Sequence, residues 1–176
     1  VKMSIFNGKR LDDKTFKLDI ERMRKGWYAD KYFVNIATML RKLSEQGYVY
    51  QGQDHLLPNG VSTEEIVTGD IEVEMQWFTR RPGKTVIVGV DKALTMLQHA
   101  TGYFENDVFV NTAKNLQVWA VQDGDIVTYN GDVNKVQPVI RVRGRYRDFA
   151  ILETSTLGIL ARASRIATNV YNTQIA

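Results

Sequence analysis

The chain of 176 residues contains no cysteine. This absence excludes disulfide bonds, thiolate metal sites and a cysteine nucleophile, and it is typical of proteins from a reducing compartment. The sequence also lacks any apolar run near the roughly 18–20 residues of a membrane span. Its N-terminus lacks the charged-then-apolar pattern of a signal peptide. We therefore expect a soluble, cytoplasmic protein that does not bind membranes.

An excess of charge of one sign is missing as well. The formal net charge is only +3, and the lysines and arginines do not cluster, which argues against a nucleic acid as partner. Hydrophobic residues make up 44% of the chain and charged residues 24%, as in ordinary globular proteins. The length allows one domain with a substantial core, or one domain and part of another.

Hydrophobic periodicity predicts helices, then strands, then a final helix. Asp30 and Gly47 are the expected N-cap and C-cap of the second helix. This order predicts an α+β fold, with a mixed or antiparallel sheet and flanking helices. We expect residues 1–146 to form an N-terminal α+β domain and residues 147–176 a linking helix. The predicted helices cover 15–30, 30–47, 91–101 and 146–171; the predicted strands cover 70–78, 84–90 and the runs LQVWAV, DIVTY and PVIRVRG.

The final helix carries polar residues among its apolar ones. At about 100° per residue, one stripe of this helix is predicted to pack on the sheet. Polar residues and small residues, among them Gly158 and Ala161, occupy the other sides. These sides are either a solvated surface or a surface that faces a cleft or a subunit boundary, and periodicity alone favours the former. The predicted buried stripe consists of Phe149, Leu152, Thr156, Ile159, Ala163, Ile166 and Val170.

The segment LETSTLGILARASRIAT at 152–168 resembles the type II phosphoribosyltransferases that make pyridine mononucleotides for NAD. The segments GWYADKYF (26–33), VEMQWFTRRPG (73–83) and VGVDKALTML (88–97) extend this resemblance from about residue 26 to the end of the chain. It implies an N-terminal domain whose last helix leads into a phosphate-binding α/β barrel that this chain lacks. We therefore expect part of a longer polypeptide, with no catalytic residue of its own.

The residue after the glutamate of this helix bears on the substrate. Members of the family that use quinolinate usually carry arginine there, opposite the second ring carboxylate, whereas this chain has Thr154. A neutral residue fits a pyridine with one carboxylate or none. The resemblance therefore implies a nicotinate phosphoribosyltransferase, with nicotinamide or quinolinate as alternative substrates. It also implies phosphoribosyl pyrophosphate as second substrate, Mg²⁺ and ATP bound outside this chain, and a homodimer or higher homo-oligomer with shared active sites.

The resemblance assigns roles to residues at both ends of the chain. Tyr32 would stack on the pyridine ring across a dimer, and Asp30 would orient the ring; the competing interpretations are a half-buried aromatic residue and a helix cap. Glu153 would hold an arginine in place, beside Thr154 in the substrate site. Thr168 would line the start of the barrel and contact the substrate there.

Arginines are the expected anion contacts. Arg165 is a candidate for a phosphate or carboxylate contact, and Arg80 and Arg81 are candidates for phosphate binding, although solvent exposure is expected for at least one of these two. His55 and His99 are expected to take no part, and we expect no metal site in this chain.

Two other functions remain open. The strand-rich segment at 121–144 resembles biotinyl and lipoyl carrier domains, but Lys135 is displaced from the hairpin tip where such a domain presents its lysine. A non-catalytic adaptor would expose aromatic residues, whereas Trp27, Trp77 and Trp119 occupy periodic positions that predict burial.

Overall fold

The apolar pattern of the chain produces an α+β arrangement, as predicted. A computed structural model describes residues 10–52, 55, 58 and 66–175. The helices of this part are α1 (Ile20–Arg24), α2 (Lys31–Glu45), α3 (Val90–Ala100), α4 (Tyr146–Phe149) and α5 (Glu153–Ile175). The strands are β1 (Glu72–Phe78), β2 (Gly83–Val86), β3 (Gly102–Glu105), β4 (Val108–Asn111), β5 (Gln117–Ala120), β6 (Ile126–Tyr129) and β7 (Pro138–Arg145).

Strand β7 is the centre of the main sheet. It pairs with β1 on one side and with β5 on the other, and both pairings are antiparallel. Ile140, Val142 and Gly144 form its buried face, whereas Arg141 and Arg143 lie on the other face. Val139, Ile140 and Val142 of β7 are buried. Strand β1 alternates exposed glutamates with inward residues that end at the buried Trp77, which confirms the period-two prediction.

Two smaller antiparallel pairs complete the strands. Strand β2 pairs with β6, and β3 pairs with β4. The β3–β4 hairpin was not predicted. Its turn residues, Asn106 and Asp107, both have positive φ angles, of 47° and 64°. Asparagine and aspartate tolerate this conformation, and it matches the twist of a two-residue hairpin.

Helix α3 forms the middle of the core. Val90, Ala93, Leu94, Leu97 and Ala100 are almost completely buried in it. Gly89 precedes the helix with a φ of 99°, and a Cβ atom at this position would lie 2.9 Å from the Cγ2 atom of Ile159. A glycine is therefore required for α3 to approach α5.

The prediction of which face of α5 is buried was wrong beyond its first turns. Ile166 and Val170, expected inside, are 56% and 57% exposed. The buried residues at i, i+4 spacing are instead Thr156, Leu160, Ser164 and Thr168. Ser164 and Thr168 lie on this face because backbone N–H groups beneath it need hydrogen-bond partners, as described below.

The first predicted helix is also shorter than expected. Helix α1 covers only Ile20–Arg24, and Gly26 with a φ of 75° follows it. Because the chain turns there, Trp27 is 69% exposed and lies against Arg22, contrary to its predicted burial. Among the described helices, none combines the length and the apolar character needed to cross a lipid bilayer.

Candidate functional site

The start of α2 meets the start of α5 through one pair of residues. The Thr154 hydroxyl accepts a hydrogen bond from the backbone N–H of Asp30 at 3.0 Å and donates one to the Asp30 carboxylate at 3.0 Å. Asp30 occupies the N-cap position of α2, but its side chain caps no helical N–H. Its carboxylate therefore connects two elements that are distant in sequence.

Three further side chains surround this pair. Tyr32, in the first turn of α2, is 55% exposed, and its ring lies 4.2 Å from that of Phe33. Glu153 precedes Thr154 on α5, and Tyr146 of α4 lies near enough for the charge of Glu153 to affect its hydroxyl. We call the five residues Asp30, Tyr32, Tyr146, Glu153 and Thr154 the acidic platform.

Within the acidic platform, loss of solvent and neighbouring negative charges disfavour the ionised forms of Glu153, Tyr32 and Tyr146. Burial, followed by the negative charge of Asp30, raises the pKa of Glu153. Partial desolvation raises the pKa of Tyr32, and the charges of Asp30 and Glu153 raise it further. Burial and the charge of Glu153 likewise raise the pKa of Tyr146. Two carboxylates next to exposed aromatic surface form a place where a planar ring with positive character is stabilised.

The expectation that Glu153 holds an arginine finds no counterpart in the described part of the chain. No ion pair there involves the Glu153 carboxylate. The neighbouring arginines of α4 and β7 pair elsewhere: Arg145 binds Asp148 at 2.9 Å, and Arg147 binds Asp70 at 2.8 Å.

The three candidate arginines line a different feature, a cavity of about 300 Å³ between the end of β1, strand β2 and α5. Arg81 donates a hydrogen bond to the Oδ1 atom of Asn169 at 2.8 Å, and Arg80 lies over the ring of Phe78 at 5.6 Å. Arg165 lines the same cavity from α5, and no acidic side chain does so. We call this feature the arginine cavity.

Thr168 belongs neither to the acidic platform nor to the arginine cavity. It is completely buried, and its hydroxyl accepts a hydrogen bond from the N–H of Val86 at 3.0 Å and donates one to the Ser164 carbonyl at 2.6 Å. The Ser164 hydroxyl accepts one from the N–H of Val88 at 3.0 Å. Thr168 therefore attaches α5 to β2 instead of lying on a surface that a ligand can reach, and its predicted contact with substrate is corrected.

The spacing of these two hydroxyls has a geometric reason. Four residues of a helix rise about 6 Å, which is close to the roughly 6.6 Å between alternate residues of a strand. Ser164 and Thr168 can therefore satisfy the two N–H groups of Val88 and Val86 in turn. Helix α5 replaces a neighbouring strand along this edge.

The histidines lie apart from both features. His55 is exposed, and the Nε2 atom of His99 lies 2.7 Å from the Oδ2 atom of Asp13. Within the described ranges, no three His, Asp or Glu side chains are close enough to hold a metal ion.

The sequence prediction did not include three residues that the structure brings into these features. Tyr146 belongs to the acidic platform, and Trp77 and Thr85 line the arginine cavity. Trp77 had been assigned to the core from its strand pattern. Nothing in that pattern shows whether a buried polar group finds a hydrogen-bond partner.

Comparison with known proteins shows similarity to a protein family and to a solved structure. Residues 61–164, more than half of the chain, match the family described as quinolinate phosphoribosyl transferase, N-terminal domain. Among solved structures, the chain is similar to the crystal structure of nicotinate-nucleotide pyrophosphorylase from Pyrococcus furiosus, with 20% sequence identity and a TM-score of 0.49. This similarity covers 87% of the present chain and 29% of the other protein's chain.

Proposed function

This chain belongs to the quinolinate phosphoribosyl transferase N-terminal domain family, and from that premise we propose that it is the N-terminal part of a nicotinate phosphoribosyltransferase. Such an enzyme joins nicotinate to phosphoribosyl pyrophosphate, with ATP hydrolysis, to form nicotinate mononucleotide in the biosynthesis of NAD. The absence of cysteine from the present chain suits a reducing, cytoplasmic location.

One observation carries the proposal. Asp30 and Tyr32, from one end of the chain, meet Glu153 and Thr154, from the other end, with the Asp30–Thr154 hydrogen bonds at their centre. The family resemblance had assigned all four to the pyridine site on separate sequence segments. Their convergence on exposed surface supports a shared role in binding one ligand.

The chemistry of the reaction matches the charge of the acidic platform. The pyridine nitrogen forms a bond to the anomeric carbon while the bond from that carbon to pyrophosphate breaks, and pyrophosphate leaves with the electron pair. Positive charge therefore develops on the ribose and then on the pyridinium ring. An aromatic face at Tyr32 and the carboxylates of Asp30 and Glu153 would stabilise such a ring through cation–π and charge interactions.

Thr154 is the basis for choosing nicotinate. A second ring carboxylate needs a cationic partner, and the position after Glu153 offers a hydroxyl that Asp30 already engages. The description of the matching family names quinolinate, so quinolinate is the main alternative substrate, followed by nicotinamide.

The arginines complete the proposed substrate contacts. Arg80 and Arg81 would bind phosphate groups of phosphoribosyl pyrophosphate, and Arg165 a phosphate or carboxylate group, because guanidinium groups bind both in a bidentate manner. Mg²⁺ and ATP would complete the reaction. The described residues do not fit a metal site, so we assign neither to this chain and route no step through them.

The acidic platform alone makes an incomplete active site. We propose that it covers a phosphate-binding site of a second copy in a homodimer or higher homo-oligomer. The exposure of Tyr32 agrees with such a role, because a ring that stacks on a neighbour's ligand has to lie at the surface.

The test is an assay of the purified full-length enzyme, of which this chain is proposed to be the N-terminal part, with nicotinate, nicotinamide and quinolinate in parallel, with and without ATP. We expect turnover of nicotinate that ATP stimulates. Turnover of quinolinate alone would replace the proposed substrate by the alternative, and turnover of none of the three would contradict the proposed class of enzyme.

Variants of Tyr32 test the acidic platform in the same assay. Tyr32→Leu removes the ring, and we expect the KM for the pyridine to rise about tenfold, whereas Tyr32→Phe should keep it within about threefold. Tyr28→Leu is the matched control, because Tyr28 is also exposed but bonds Asp19 outside the acidic platform. Equal effects at both positions would contradict the stacking role.

An adaptor function has one observation in its favour. Trp27, Tyr28 and Tyr32 are all exposed, which is the feature that such a function predicts. Trp27→Ala would abolish binding of a partner protein in an adaptor but would leave pyridine turnover intact in the enzyme. The carrier function requires a modified Lys135, which mass spectrometry of the intact protein would detect.

A further inference from the structure

We infer that a second pocket, between α1, α2 and β3, is a binding site for a phosphate group. We call it the basic pocket. The inference goes beyond the proposed function, which uses none of the residues that line this pocket. Its charged and polar lining consists of Arg24, Lys25, Thr38, Arg41, Tyr103 and Arg147.

The basic pocket has more positive charge than its surroundings neutralise. Four cationic side chains line it, and no acidic side chain does so. Arg41 and Arg147 each pair with a carboxylate outside the lining. Arg24 and Lys25 form no ion pair with any residue that the structure describes. Charges that are partly removed from water are usually paired, so the pocket can accept an anion.

The surroundings of Arg24 fix its guanidinium group without neutralising it. Its Nε and Nη2 atoms donate hydrogen bonds to the carbonyl of His99 at 3.0 Å and 2.9 Å, and the group lies 4.3 Å from the ring centre of Phe109. Neither a carbonyl nor an aromatic ring carries a net charge. The Nη1 atom bonds no residue in the described part of the chain and is not buried. Arg24 therefore has a donor available for a ligand.

Arg147 is fixed in a similar manner on α4. Its Nε and Nη2 atoms donate to the Asp70 carboxylate at 3.1 Å and 2.8 Å, and its guanidinium group lies 5.4 Å from the ring centre of Tyr103. Its Nη1 atom also bonds none of the described residues and is not buried. Because both guanidinium groups are oriented before a ligand arrives, binding costs little side-chain entropy.

The size of the basic pocket selects a compact ligand. Its volume of about 150 Å³ is half the lower limit of the range for small-molecule sites, roughly 300–1,000 Å³. A phosphate group is compact, carries about −1.5 to −2 charge at neutral pH and offers three or more acceptor oxygens. A carboxylate has only two oxygens in one plane. Donors that come from α1, α2 and α4 therefore match a tetrahedral anion better.

The basic pocket is separate from the acidic platform. Val34 and Arg41 of α2 line the pocket. At about 100° per residue, they lie roughly 160–180° around the helix from Tyr32. A phosphate group in the pocket thus lies on the far side of α2 from the proposed pyridine site. Lys25 and Thr38 are exposed, so the group can be a free ion or the end of a larger molecule.

Hydrogen exchange of the purified full-length protein, measured by mass spectrometry, tests the inference whether or not the protein turns over a pyridine. At roughly 10 mM inorganic phosphate, ten times a Kd of about 1 mM, we expect slower exchange in the peptides that contain α1 and α2, because the ligand connects the two helices. Potassium chloride at the same ionic strength should not slow it, because it only screens charge.

Glycerol 3-phosphate distinguishes the two sources of the phosphate group. Stronger protection than with inorganic phosphate at equal concentration would support the inference with a phosphate monoester as ligand. Equal or weaker protection would support it with the free ion as ligand.

Variants locate the binding in the basic pocket. Arg24→Gln should weaken phosphate binding about tenfold. Arg22→Gln is the matched control, because Arg22 lies on the same short helix but pairs with Asp19 and does not line the pocket. Lys25→Gln changes an exposed side chain and should weaken binding about threefold to tenfold. Its control is Lys42→Gln, an exposed lysine of α2 outside the pocket.

Several outcomes would overturn the inference. Unchanged exchange with phosphate, or equal protection by potassium chloride, would show that no specific site exists. Equal affinities of Arg24→Gln and Arg22→Gln would show that phosphate binds elsewhere. If Arg24→Gln does not fold, Lys25→Gln decides, and an affinity equal to that of Lys42→Gln would contradict the inference.

Discussion

The Thr154 hydroxyl lies 3.0 Å from both the backbone nitrogen and the Oδ2 atom of Asp30, although 124 residues separate the two in sequence. It accepts a hydrogen bond from the former and donates one to the latter. One side chain thereby fixes the entry of α2 against the start of α5. Tyr32 follows Asp30 by two residues, so this contact also positions its ring.

Removing the Thr154 hydroxyl should therefore disturb substrate binding more than folding. Thr154→Val keeps the side-chain shape, and we expect the KM for the pyridine to rise about threefold to tenfold, because about 0.5–1.5 kcal/mol of positioning is lost. The turnover number should change less. Steady-state kinetics measures both values.

Thr154→Ser is the matched control for this prediction. It retains the hydroxyl and should keep the KM within about twofold of the original protein. If the valine variant has an unchanged KM, the hydroxyl does not position Asp30 and Tyr32 for the ligand.

Glu153 should reduce stability at neutral pH. Its pKa is raised by burial and by the charge of Asp30, so the folded state holds the Glu153 proton more tightly than the unfolded state does. The contribution of Glu153 to stability is therefore complete in acid and is lost as the pH rises through the raised pKa. Glu153→Gln, which cannot lose a proton, should raise the melting temperature at neutral pH.

The pH dependence makes this prediction specific. At about pH 4, below the ordinary pKa of a glutamate, the melting temperatures of Glu153→Gln and the original protein should converge. The variant should at the same time turn over less pyridine, since functional groups often reduce stability. A glutamine variant that is less stable at neutral pH would show that the carboxylate contributes a favourable contact.

Much of the fold could be predicted from periodicity. Helix α2 and strand β1 have one apolar face each, and a single buried face gives a regular pattern. The β3–β4 hairpin was missed because its turn, Asn106–Asp107, contains no glycine. The buried face of α5 was predicted wrongly because Ser164 and Thr168 are polar. Only the N–H groups of Val86 and Val88, which no pattern on α5 reveals, make these hydroxyls favourable inside.

The candidate site, like the fold, could be predicted only in part from the sequence. Asp30, Tyr32, Glu153 and Thr154 could be named from family resemblance, since their segments carry recognisable motifs. Their mutual contact depends on how α2 packs near α5, which is a property of the three-dimensional structure. The place of Thr85 beside the arginine cavity could not be predicted, because it depends on how β2 packs near α5.

The two hydroxyls under α5 lead to a prediction about stability. Ser164→Ala leaves the backbone N–H of Val88 without its partner, and Thr168→Val does the same to the N–H of Val86 in β2. We expect each variant to lower the free energy of unfolding by about 1–3 kcal/mol, as measured by chemical denaturation.

Thr173→Val is the control: the Thr173 hydroxyl bonds a carbonyl of its own helix at the exposed end. It should change the free energy by less than about 0.5 kcal/mol. Equal values for all three would show that β2 does not depend on these bonds.

The ion pair between Arg10 and Asp91 gives the largest expected effect on stability. The two side chains are 4% and 6% exposed and lie 2.7 Å apart, and Arg10 also donates hydrogen bonds to the carbonyls of Ala120 and Val121. Arg10→Met leaves the buried Asp91 charge without its partner, which should cost about 3–5 kcal/mol in the free energy of unfolding. Because salt screens buried pairs little, the loss should be similar at low and high ionic strength.

The exposed pair of Arg41 and Glu45 on α2 is the comparison for this prediction. Its side chains are 41% and 59% exposed, so Arg41→Met should cost about 0.5 kcal/mol or less, and added salt should reduce even that. Denaturation curves of both variants at two salt concentrations measure the contrast. If Arg10→Met costs no more than Arg41→Met, the N-terminal segment at Arg10 does not contribute to holding α3 in place. The loss of a buried charge partner should instead make Arg10 one of the most sensitive positions in the chain.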